Sequence, residues 1–464
     1  MNRSTAAPAL LLAVSTALAS AVTPAASAEN GYQPDQGRVI DTVPDVLSQR
    51  ERVEVMNRML EERLDTLLPR LMRETGIDMW LVINREYAED PVFWSLAPHP
   101  VHAARRTTML VFHDRGPDHG VDRLTVNRYP FGRLYQPAWQ GGDLDAQWLG
   151  LADVIAKRDP QRIGINTSPH WPVADGLTAA LRDRLMEVLN PELRQRVVSA
   201  EELAVRWLET RTPLELEVYP QIVSIARAVI SEAFSSRVIT PGVTTAADVA
   251  WYIAERYAEL ELPIWFMPSV DVQRSSLACE DDDPFCGAEG DDVVIQRGDV
   301  LHTDVGVCYL MLCTDTQEMG YVLRPDETDV PEELKAALHT GNRWQDILTG
   351  NFVTARTGNQ INAATGEQCV EQGLRCATYT HPIGFFGHAP GPTIGMWDNP
   401  GDTPVQGDWK LFPSTAFSIE GNVRVALEMW DGNTVVIKLE QDAVFDGEGV
   451  WYAAGRQTQW HVVR

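Results

Sequence analysis

The chain has 464 residues, of which 44% are hydrophobic and 22% are charged, so it is long and apolar enough for two packed domains and is neither disordered nor fibrous. Its formal net charge of −26 at pH 7 argues against a phosphate-binding surface, and nucleic acid is not an expected partner. The chain has four lysines and no basic run that would hold it on a membrane surface.

The first 28 residues have the pattern of a secretory signal peptide. Arg3 precedes an apolar segment at 9–22, and the small residues at 26–28 form a cleavage site. A membrane anchor is the alternative, but Ser15 and Ser20 interrupt the apolar segment, which is shorter than the roughly 20 residues that a span needs. Cleavage would leave 38 basic against 65 acidic residues, a net charge of −27. We expect a secreted or periplasmic protein with no membrane partner after cleavage.

All six cysteines lie between positions 279 and 376, and an oxidising compartment would allow them to pair. Cys279 and Cys286 flank an acidic loop, and Cys369 and Cys376 flank Gly373. Each pair could close a small disulfide loop, but free buried thiols are an equal alternative. A continuous helix would hold Cys369 and Cys376 about 10 Å apart, beyond bridging distance, so the connectivity stays open.

The first half of the chain alternates between helical and strand patterns. Residues 53–73 place apolar side chains on one face and predict an amphipathic helix, with an irregular last turn at Pro69. A second helix is predicted at 173–189. Buried strands are predicted at 77–84, 108–114 and 162–166. This alternation predicts an α/β amino-terminal domain within residues 29–208.

The pattern changes after residue 208. Pro213 can begin a helix that continues through 214–234, with a kink expected at Pro220. A threonine cap then precedes a second amphipathic helix within 240–260, and strands dominate from Val293 onward. We therefore place a domain boundary at 208–213 and a second domain over 213–464.

The segment HTDVGVCYLMLCTD, residues 302–315, places Asp304 and Asp315 in an otherwise apolar run. A buried carboxylate is costly unless it is paired or holds a metal ion. In one straight strand these residues would lie about 36 Å apart, too far to share a site. A hairpin that turns near Tyr309 and Leu310 would make them neighbours on one face, although the turn lacks the Gly, Asn or Asp that hairpin turns favour.

Further segments downstream supply metal-ligand chemistry. THPIGFFGH contains His381 and His388, and the strand-like runs FSIEGN and IKLEQD contain Glu420 and Glu440. Asp-Gly-Asn at 431–433 predicts a hairpin turn that folds one glutamate back towards the other. Two aspartates, one histidine and two glutamates form an oxygen-rich ligand set that suits Mn²⁺ foremost, with Co²⁺ or Zn²⁺ behind it.

This order of residues resembles the pita-bread metallopeptidases, the family of methionine aminopeptidase, aminopeptidase P and prolidase. The resemblance rests on Asp304, Asp315 eleven residues later, HPIG with a second histidine seven residues after the first, FSIE and KLEQD. It covers about residues 213–464 and implies an α+β pita-bread catalytic domain. Residues 29–208 would form an amino-terminal domain like that of creatinase and aminopeptidase P.

The resemblance implies a site for two divalent metal ions. Asp304 would chelate one ion, and His381 and Glu420 would complete the second. Asp315 and Glu440 would bridge both ions. A water or hydroxide between the ions would be the nucleophile, because metal coordination lowers the pKa of water towards neutrality.

Two residues would then serve catalysis. Glu420, beside that water, would transfer protons, and His388 would stabilise the scissile carbonyl oxygen as it becomes negative. The resemblance implies a dinuclear metal-dependent aminopeptidase or dipeptidase that hydrolyses Xaa-Pro bonds at peptide amino termini. A peptide is the expected substrate, and a homodimer is the expected assembly.

Two alternatives use the same scaffold: a metal-independent, creatinase-like amidinohydrolase and a non-catalytic peptide-binding protein. The first is weaker because creatinase-like relatives lack the ligand set, which is complete here. Where relatives place another substrate-binding histidine, this chain reads WFMPSVDVQRSS, so Asp271, Gln273 or Arg274 would have to substitute. GHAPGPTIGMWD lacks the acidic residue that follows His388 in methionine aminopeptidase, which disfavours methionine specificity.

Three other features are interpreted as structural. His302 shares its strand face with Asp304 but is interpreted as a structural histidine and left out of the site. Asp442 follows Glu440 by two residues and shares its strand face. The acidic run at 279–292 is interpreted as a solvated loop rather than a Ca²⁺ site.

Overall fold

The computed structural model describes residues 43–276, 286–399 and 401–464. The predicted signal peptide, Cys279 and the first half of the acidic run at 279–292 lie outside these residues, so the predictions made for them stay predictions. The described residues belong to one compact unit, Asp35–Arg464. Among them, no helix is long and apolar enough to cross a membrane.

The first element of the described residues is a long helix that is interrupted by a π-helical turn. Ser48 and Glu51 form the capping box that starts α1 (Gln49–Glu62). A π-helical turn at Arg63–Leu67 separates α1 from α2 (Leu68–Thr75). Pro69 has no N–H to donate to the carbonyl four residues earlier, which explains the irregular hydrogen bonding at this point. The helix predicted at 53–73 is confirmed, with its irregularity beside Pro69.

A six-stranded mixed sheet forms the centre of the amino-terminal half. Its strands are β1 (Met79–Arg85), β2 (Thr107–Asp114), β3 (Val121–Val126), β4 (Gln136–Pro137), β5 (Ile163–Ile165) and β6 (Val197–Ser199). Their order across the sheet is β4-β3-β2-β1-β5-β6. β1 pairs antiparallel with β2 and parallel with β5. The predicted strands correspond to β1, β2 and β5, whereas the other three were not predicted.

Helices flank this sheet. They are α3 (Pro91–Leu96), α4 (Leu144–Arg158), α5 (Ala179–Val188), α6 (Pro191–Gln195) and α7 (Glu201–Glu209). The helix predicted at 173–189 is shorter than expected, because a 3-10 turn at Pro172–Ala174 precedes the start of α5. Gly176 lies between this turn and α5, where the backbone passes close to Asp90. A Cβ at Gly176 would lie 2.2 Å from the Asp90 carboxyl carbon, so this position has no room for a side chain.

The carboxy-terminal half is built on a nine-stranded sheet. Its strands are β7 (Ser269–Gln273), β8 (Val300–Val305), β11 (Thr316–Val322), β12 (Cys376–Thr378), β13 (His381–Ile383), β14 (Thr415–Ala426), β15 (Thr434–Phe445), β16 (Val450–Tyr452) and β17 (His461–Val463). The main order is β12-β14-β15-β11-β8-β7, while β13, β16 and β17 pair with β14, β15 and β11. Asp431 and Gly432 have φ of 54° and 87° between β14 and β15, which confirms the predicted hairpin turn.

Two pairs of helices pack on this sheet. α8 (Pro213–Ala233) and α9 (Ala246–Glu259) form one apolar cluster with β7 and β8. α10 (Glu332–Gly350) and α11 (Gly358–Glu371) form another with β11, β14 and β15. The helix predicted to follow Pro213 is confirmed as α8, which contains Pro220 without ending there. Its capping box joins Thr212 to Glu215.

Two disulfides lie among the described residues. Cys369–Cys376 links α11 to β12 with a Cα–Cα distance of 6.3 Å. The helix ends at Glu371, and Gly373 with φ of 69° reverses the chain, so the cysteines come closer than one continuous helix would allow. Cys308–Cys313, which was not predicted, joins β9 (Cys308–Tyr309) to β10 (Leu312–Cys313).

Candidate metal centre

One row of directly opposed residues crosses four strands of the nine-stranded sheet. Asp304 on β8 is opposite Gln317 on β11, and Gln317 is opposite Glu440 on β15. Glu440 is in turn opposite Glu420 on β14. Opposed residues project from the same face of a sheet, so strand register brings three carboxylates and one amide side by side.

Asp315 and His381 reach the same place from the starts of two strands. Asp315 precedes β11 and lies two residues from Gln317, which puts it on the same face. His381 lies on β13, which pairs with β14 beside Glu420. The distances from His381 Nε2 are 3.5 Å to Asp315 Oδ2, 3.7 Å to Glu420 Oε2 and 3.7 Å to Glu440 Oε1.

The potential ligand atoms form three overlapping groups, each with its atoms within 4.8 Å of one another. The groups are Asp315 with His381 and His388, His381 with Glu420 and Glu440, and Asp304 with Asp315 and Glu440. The structure thus brings together every residue of the predicted site. Asp315, His381 and Glu440 each belong to two of these groups, so the groups form one continuous cluster.

The chemistry of these atoms fits cations. Atoms that are buried without a hydrogen-bond partner among the described residues include Asp304 Oδ1, Asp315 Oδ1, Glu440 Oε2 and His381 Nε2. Burial, and then the charges of neighbouring carboxylates, raise the pKa of Asp315, Glu420 and Glu440 well above their usual range. Uncompensated buried carboxylates are costly, and divalent cations would satisfy them.

The protonation of His381 suits a metal ligand. Its Nδ1 lies 2.9 Å from the Pro382 carbonyl oxygen, which can only accept, so Nδ1 carries the hydrogen. Burial, and then the neighbouring His388, lower the pKa of His381 to about 3. The imidazole is therefore neutral, and the Nε2 lone pair faces the carboxylates.

His388 lies on the open side of the cluster. His388 is exposed to solvent, whereas the His381 side chain is only 12% exposed. The two imidazoles meet edge to face with their ring centroids 4.7 Å apart. Partial burial lowers the pKa of His388, so its ring is neutral at pH 7. A molecule that enters from solvent would meet His388 before His381.

A chain of buried hydrogen bonds lies behind the carboxylates. Gln317 Nε2 donates to Glu420 Oε1 at 2.7 Å and to Asp304 Oδ2 at 3.3 Å. Gln317 Oε1 lies 2.9 Å from His302 Nε2, and His302 Nδ1 lies 2.6 Å from Asp271 Oδ2. Since its oxygen is turned to His302, the Gln317 amide presents its N–H groups to the carboxylates.

Lys438 completes this chain, because its Nζ donates to Asp271 Oδ2 at 2.8 Å. The site predicted from the sequence does not include His302, Gln317 or Lys438. The signal that could have found them is spacing, since each lies two residues from a predicted ligand in a strand. Period-two spacing puts such neighbours on the same face of the sheet.

Two more polar side chains hold the ligands in place. Asp442 accepts from the Asp315 backbone N–H at 3.1 Å and from the Tyr219 hydroxyl at 2.9 Å. Burial raises the pKa of Asp442 to about 7. Ser418 donates to Glu440 Oε1, which leaves Glu440 Oε2 for a cation. Asp442 therefore does more than share a strand face with Glu440.

The residues considered as replacements for the missing substrate histidine are engaged elsewhere. Asp271 belongs to the buried chain behind Gln317. Gln273 donates to the Val436 carbonyl at 2.9 Å, and Arg274 pairs with Asp299 at 2.6 Å. These contacts hold them within the sheet or at its edge, so the structure favours none of them as a substitute.

Comparisons with known proteins find a matching family model and solved structures with a similar fold. Residues 218–445 match the model of metallopeptidase family M24. No curated protein matches the chain significantly. The X-Pro aminopeptidase from Thermotoga maritima MSB8 superposes with a TM-score of 0.60 at 18% identity, covering 85% of this chain and 100% of its own.

Two further solved structures share the fold. The Xaa-Pro dipeptidase from Bacillus anthracis gives a TM-score of 0.56 at 18% identity over 90% of this chain and 100% of its own. The dipeptidase from Pyrococcus horikoshii OT3 gives a TM-score of 0.56 at 16% identity and covers 88% of this chain and 100% of its own. Residues 218–445 thus match metallopeptidase family M24, and the fold shared with these structures has an α/β amino-terminal region before a pita-bread domain. The resemblance and the fold class expected from the sequence are confirmed.

Proposed function

We propose that the protein is a dinuclear metal-dependent aminopeptidase or dipeptidase that hydrolyses Xaa-Pro bonds at peptide amino termini. The observation that carries this proposal is the convergence of His381 and four carboxylates whose buried atoms lack other partners. The names of the structural neighbours, an X-Pro aminopeptidase and an Xaa-Pro dipeptidase, support the proline preference.

Five side chains would hold the two ions: Asp304, Asp315, His381, Glu420 and Glu440. Four of the five supply carboxylate oxygens, which favours Mn²⁺ over softer ions. When bound, the ions supply an activated water and a Lewis acid at neutral pH.

Glu420 is the residue that moves the proton. Gln317 holds Glu420 Oε1 at 2.7 Å, so this oxygen is occupied and fixed in position. The other oxygen, Oε2, faces the cluster, 3.7 Å from His381 Nε2. Glu420 would thus hold an ion through Oε2, and the same carboxylate, beside the attacking water, would accept a proton from that water and deliver it to the leaving nitrogen.

His388 serves the substrate rather than the metal. It lies at the exposed edge of the cluster, in contact with His381 and facing solvent. From there its imidazole N–H would donate to the scissile carbonyl oxygen as that oxygen becomes negative. Its lowered pKa leaves it a neutral donor at pH 7.

We propose that the protein is located outside the cytoplasm. The sequence of residues 1–28 supports export, and the Cys308–Cys313 and Cys369–Cys376 disulfides suit an oxidising compartment. The mature chain would therefore meet peptides in the periplasm or outside the cell.

Digestion of a peptide library by the purified, Mn²⁺-loaded mature protein tests this function. We expect the released products to be single amino-terminal residues whose former neighbour was proline. If most products come from cuts at bonds without an adjacent proline, the proposed proline preference is wrong. Internal cuts would remove the aminopeptidase assignment.

A further inference from the structure

Trp265 lies beside the metal centre on a segment that carries none of the predicted site residues. Its backbone N–H donates to the Gly306 carbonyl at 3.2 Å, two residues after Asp304. Its indole Nε1 donates to the Thr314 carbonyl at 2.9 Å, one residue before Asp315. The indole is therefore fixed to the chain next to both aspartates.

Two glycines make room for this indole. A Cβ at Gly306 would lie 2.1 Å from Trp265 Nε1, and a Cβ at Gly387 would lie 2.1 Å from Trp265 Cε2. Neither glycine has a φ in the left-handed region, so the backbone conformation does not require glycine at either position. The space does require it, because any side chain would displace the ring.

Trp265 is not fully covered by the protein, and its ring adjoins one of the histidines. Trp265 is half-buried, and its ring centroid lies 5.0 Å from that of His388 at an interplanar angle of 73°. Phe266 packs against the same indole, with the two ring centroids 4.5 Å apart. An aromatic wall thus stands next to the one histidine of the cluster that faces solvent.

We propose that Trp265 is a specificity-determining residue whose indole ring packs against the proline that follows the scissile bond; this inference rests on the proposed function. His388 would contact the carbonyl of that bond, and Trp265 adjoins His388, so the residue next to the bond meets the indole. The imide nitrogen of proline has no N–H to donate, and its ring is apolar. Recognition must therefore come from shape and apolar contact, which an indole provides.

Paired peptides test this proposal. The wild type and Trp265→Ala are compared on peptides that differ only in proline or alanine at the second position. We expect kcat/KM for the proline peptide to fall by about tenfold to hundredfold in Trp265→Ala, mainly through KM, as for a lost apolar contact in a specificity pocket. The alanine peptide should change little, and bound Mn²⁺ per chain should stay at the wild-type level.

Two further variants separate recognition from folding. Trp265→Phe keeps an apolar ring without Nε1 and should retain most of the proline preference. Trp251→Ala, which removes an exposed tryptophan on α9, is the matched control and should behave as wild type. An unchanged proline-to-alanine ratio in Trp265→Ala, or a loss of that ratio in Trp265→Phe equal to that in Trp265→Ala, overturns this inference. A wild type that shows no proline preference overturns the proposed function instead.

Discussion

Gln317 and Glu420 are joined by a 2.7 Å hydrogen bond from the amide nitrogen to one carboxylate oxygen. They lie on strands separated by β15, and the same amide also reaches Asp304 at 3.3 Å. One neutral side chain therefore orients carboxylates that we assign to different ions. The oxygen of this amide is hydrogen-bonded to His302 Nε2, so the amide N–H groups are held towards the carboxylates.

Removing this amide should weaken metal binding without removing any ligand. We expect Gln317→Leu to bind Mn²⁺ about 10- to 100-fold more weakly, the usual effect of losing a partner that orients metal ligands. Isothermal titration of the metal-free protein measures this affinity. Gln457→Leu is the control, since Gln457 is also buried and its side chain bonds only to backbone groups. Wild-type affinity in Gln317→Leu would show that the hydrogen bond does not position the ligands.

The two histidines of HPIGFFGH should give opposite phenotypes. His381→Ala should lose metal affinity first, because the variant lacks a ligand. His388→Ala should keep nearly all of its metal while kcat falls by about 10² or more, the usual cost of losing one oxyanion donor. Elemental analysis and steady-state kinetics on both variants distinguish the two roles. Metal loss in His388→Ala with retention in His381→Ala would refute the assignment.

Glu318 should make the fold sensitive to acid. Burial would raise its pKa, but Arg227 and His461 outweigh burial and lower the pKa from 4.5 to about 2. A carboxylate whose pKa is lower in the folded state stabilises the fold above its unfolded pKa and loses that contribution as pH falls. The contribution of Glu318 is thus complete above about pH 4.5 and is lost towards pH 2, with a size of about 3 kcal/mol.

Urea unfolding of the wild type and Glu318→Gln from pH 7 down to pH 3 checks this dependence. The difference in unfolding free energy between them should be largest above pH 4.5 and shrink as the pH falls. Glu332→Gln should have little effect at any pH, because Glu332 is 88% exposed in its pair with Lys335 and such pairs contribute little. A Glu318→Gln difference that is constant with pH would contradict the assignment.

The Cys308–Cys313 disulfide should support the metal site. The two residues between its strands, Leu310 and Met311, have φ of 53° and 67°, a conformation that costs about 1–2 kcal/mol for each L-residue. The crosslink holds this unfavourable turn between Asp304 and Asp315. Replacing both cysteines with serine should lower the unfolding free energy by about 2 kcal/mol and weaken Mn²⁺ binding.

The second disulfide offers a matched control. Replacing Cys369 and Cys376 with serine removes a crosslink between α11 and β12, outside the segment that joins the two aspartates. This variant should lose stability but bind Mn²⁺ with wild-type affinity. Equal affinities in the two double variants would mean that the Cys308–Cys313 crosslink does not act on the site.

The sequence predicted which residues come together at the candidate site better than it predicted the framework that holds them. Asp304 and Asp315 stand out because acids are rare in apolar runs, and the turn was predicted near Tyr309 and Leu310, one residue from the observed turn. Its residues carry no turn signal, since Leu310 and Met311 adopt positive φ beside an unpredicted disulfide. Spacing could have indicated His302 and the strand face of Gln317, but no local pattern shows that Gln317 would lie between Asp304 and Glu420. That contact depends on the order of strands brought together from distant parts of the chain.

Metal titration with simultaneous measurement of activity tests the central claim, that these five side chains hold the ions needed for hydrolysis. The metal-free mature protein is titrated with Mn²⁺ while bound metal and release of the first residue from an Ala-Pro peptide are measured. We expect activity to rise with bound Mn²⁺ and to level off at two ions per chain. Asp315→Asn should bind less metal and stay inactive, because an amide cannot bridge two cations. Full hydrolysis by the metal-free protein, or an unchanged metal stoichiometry in Asp315→Asn, would contradict the proposed metal centre.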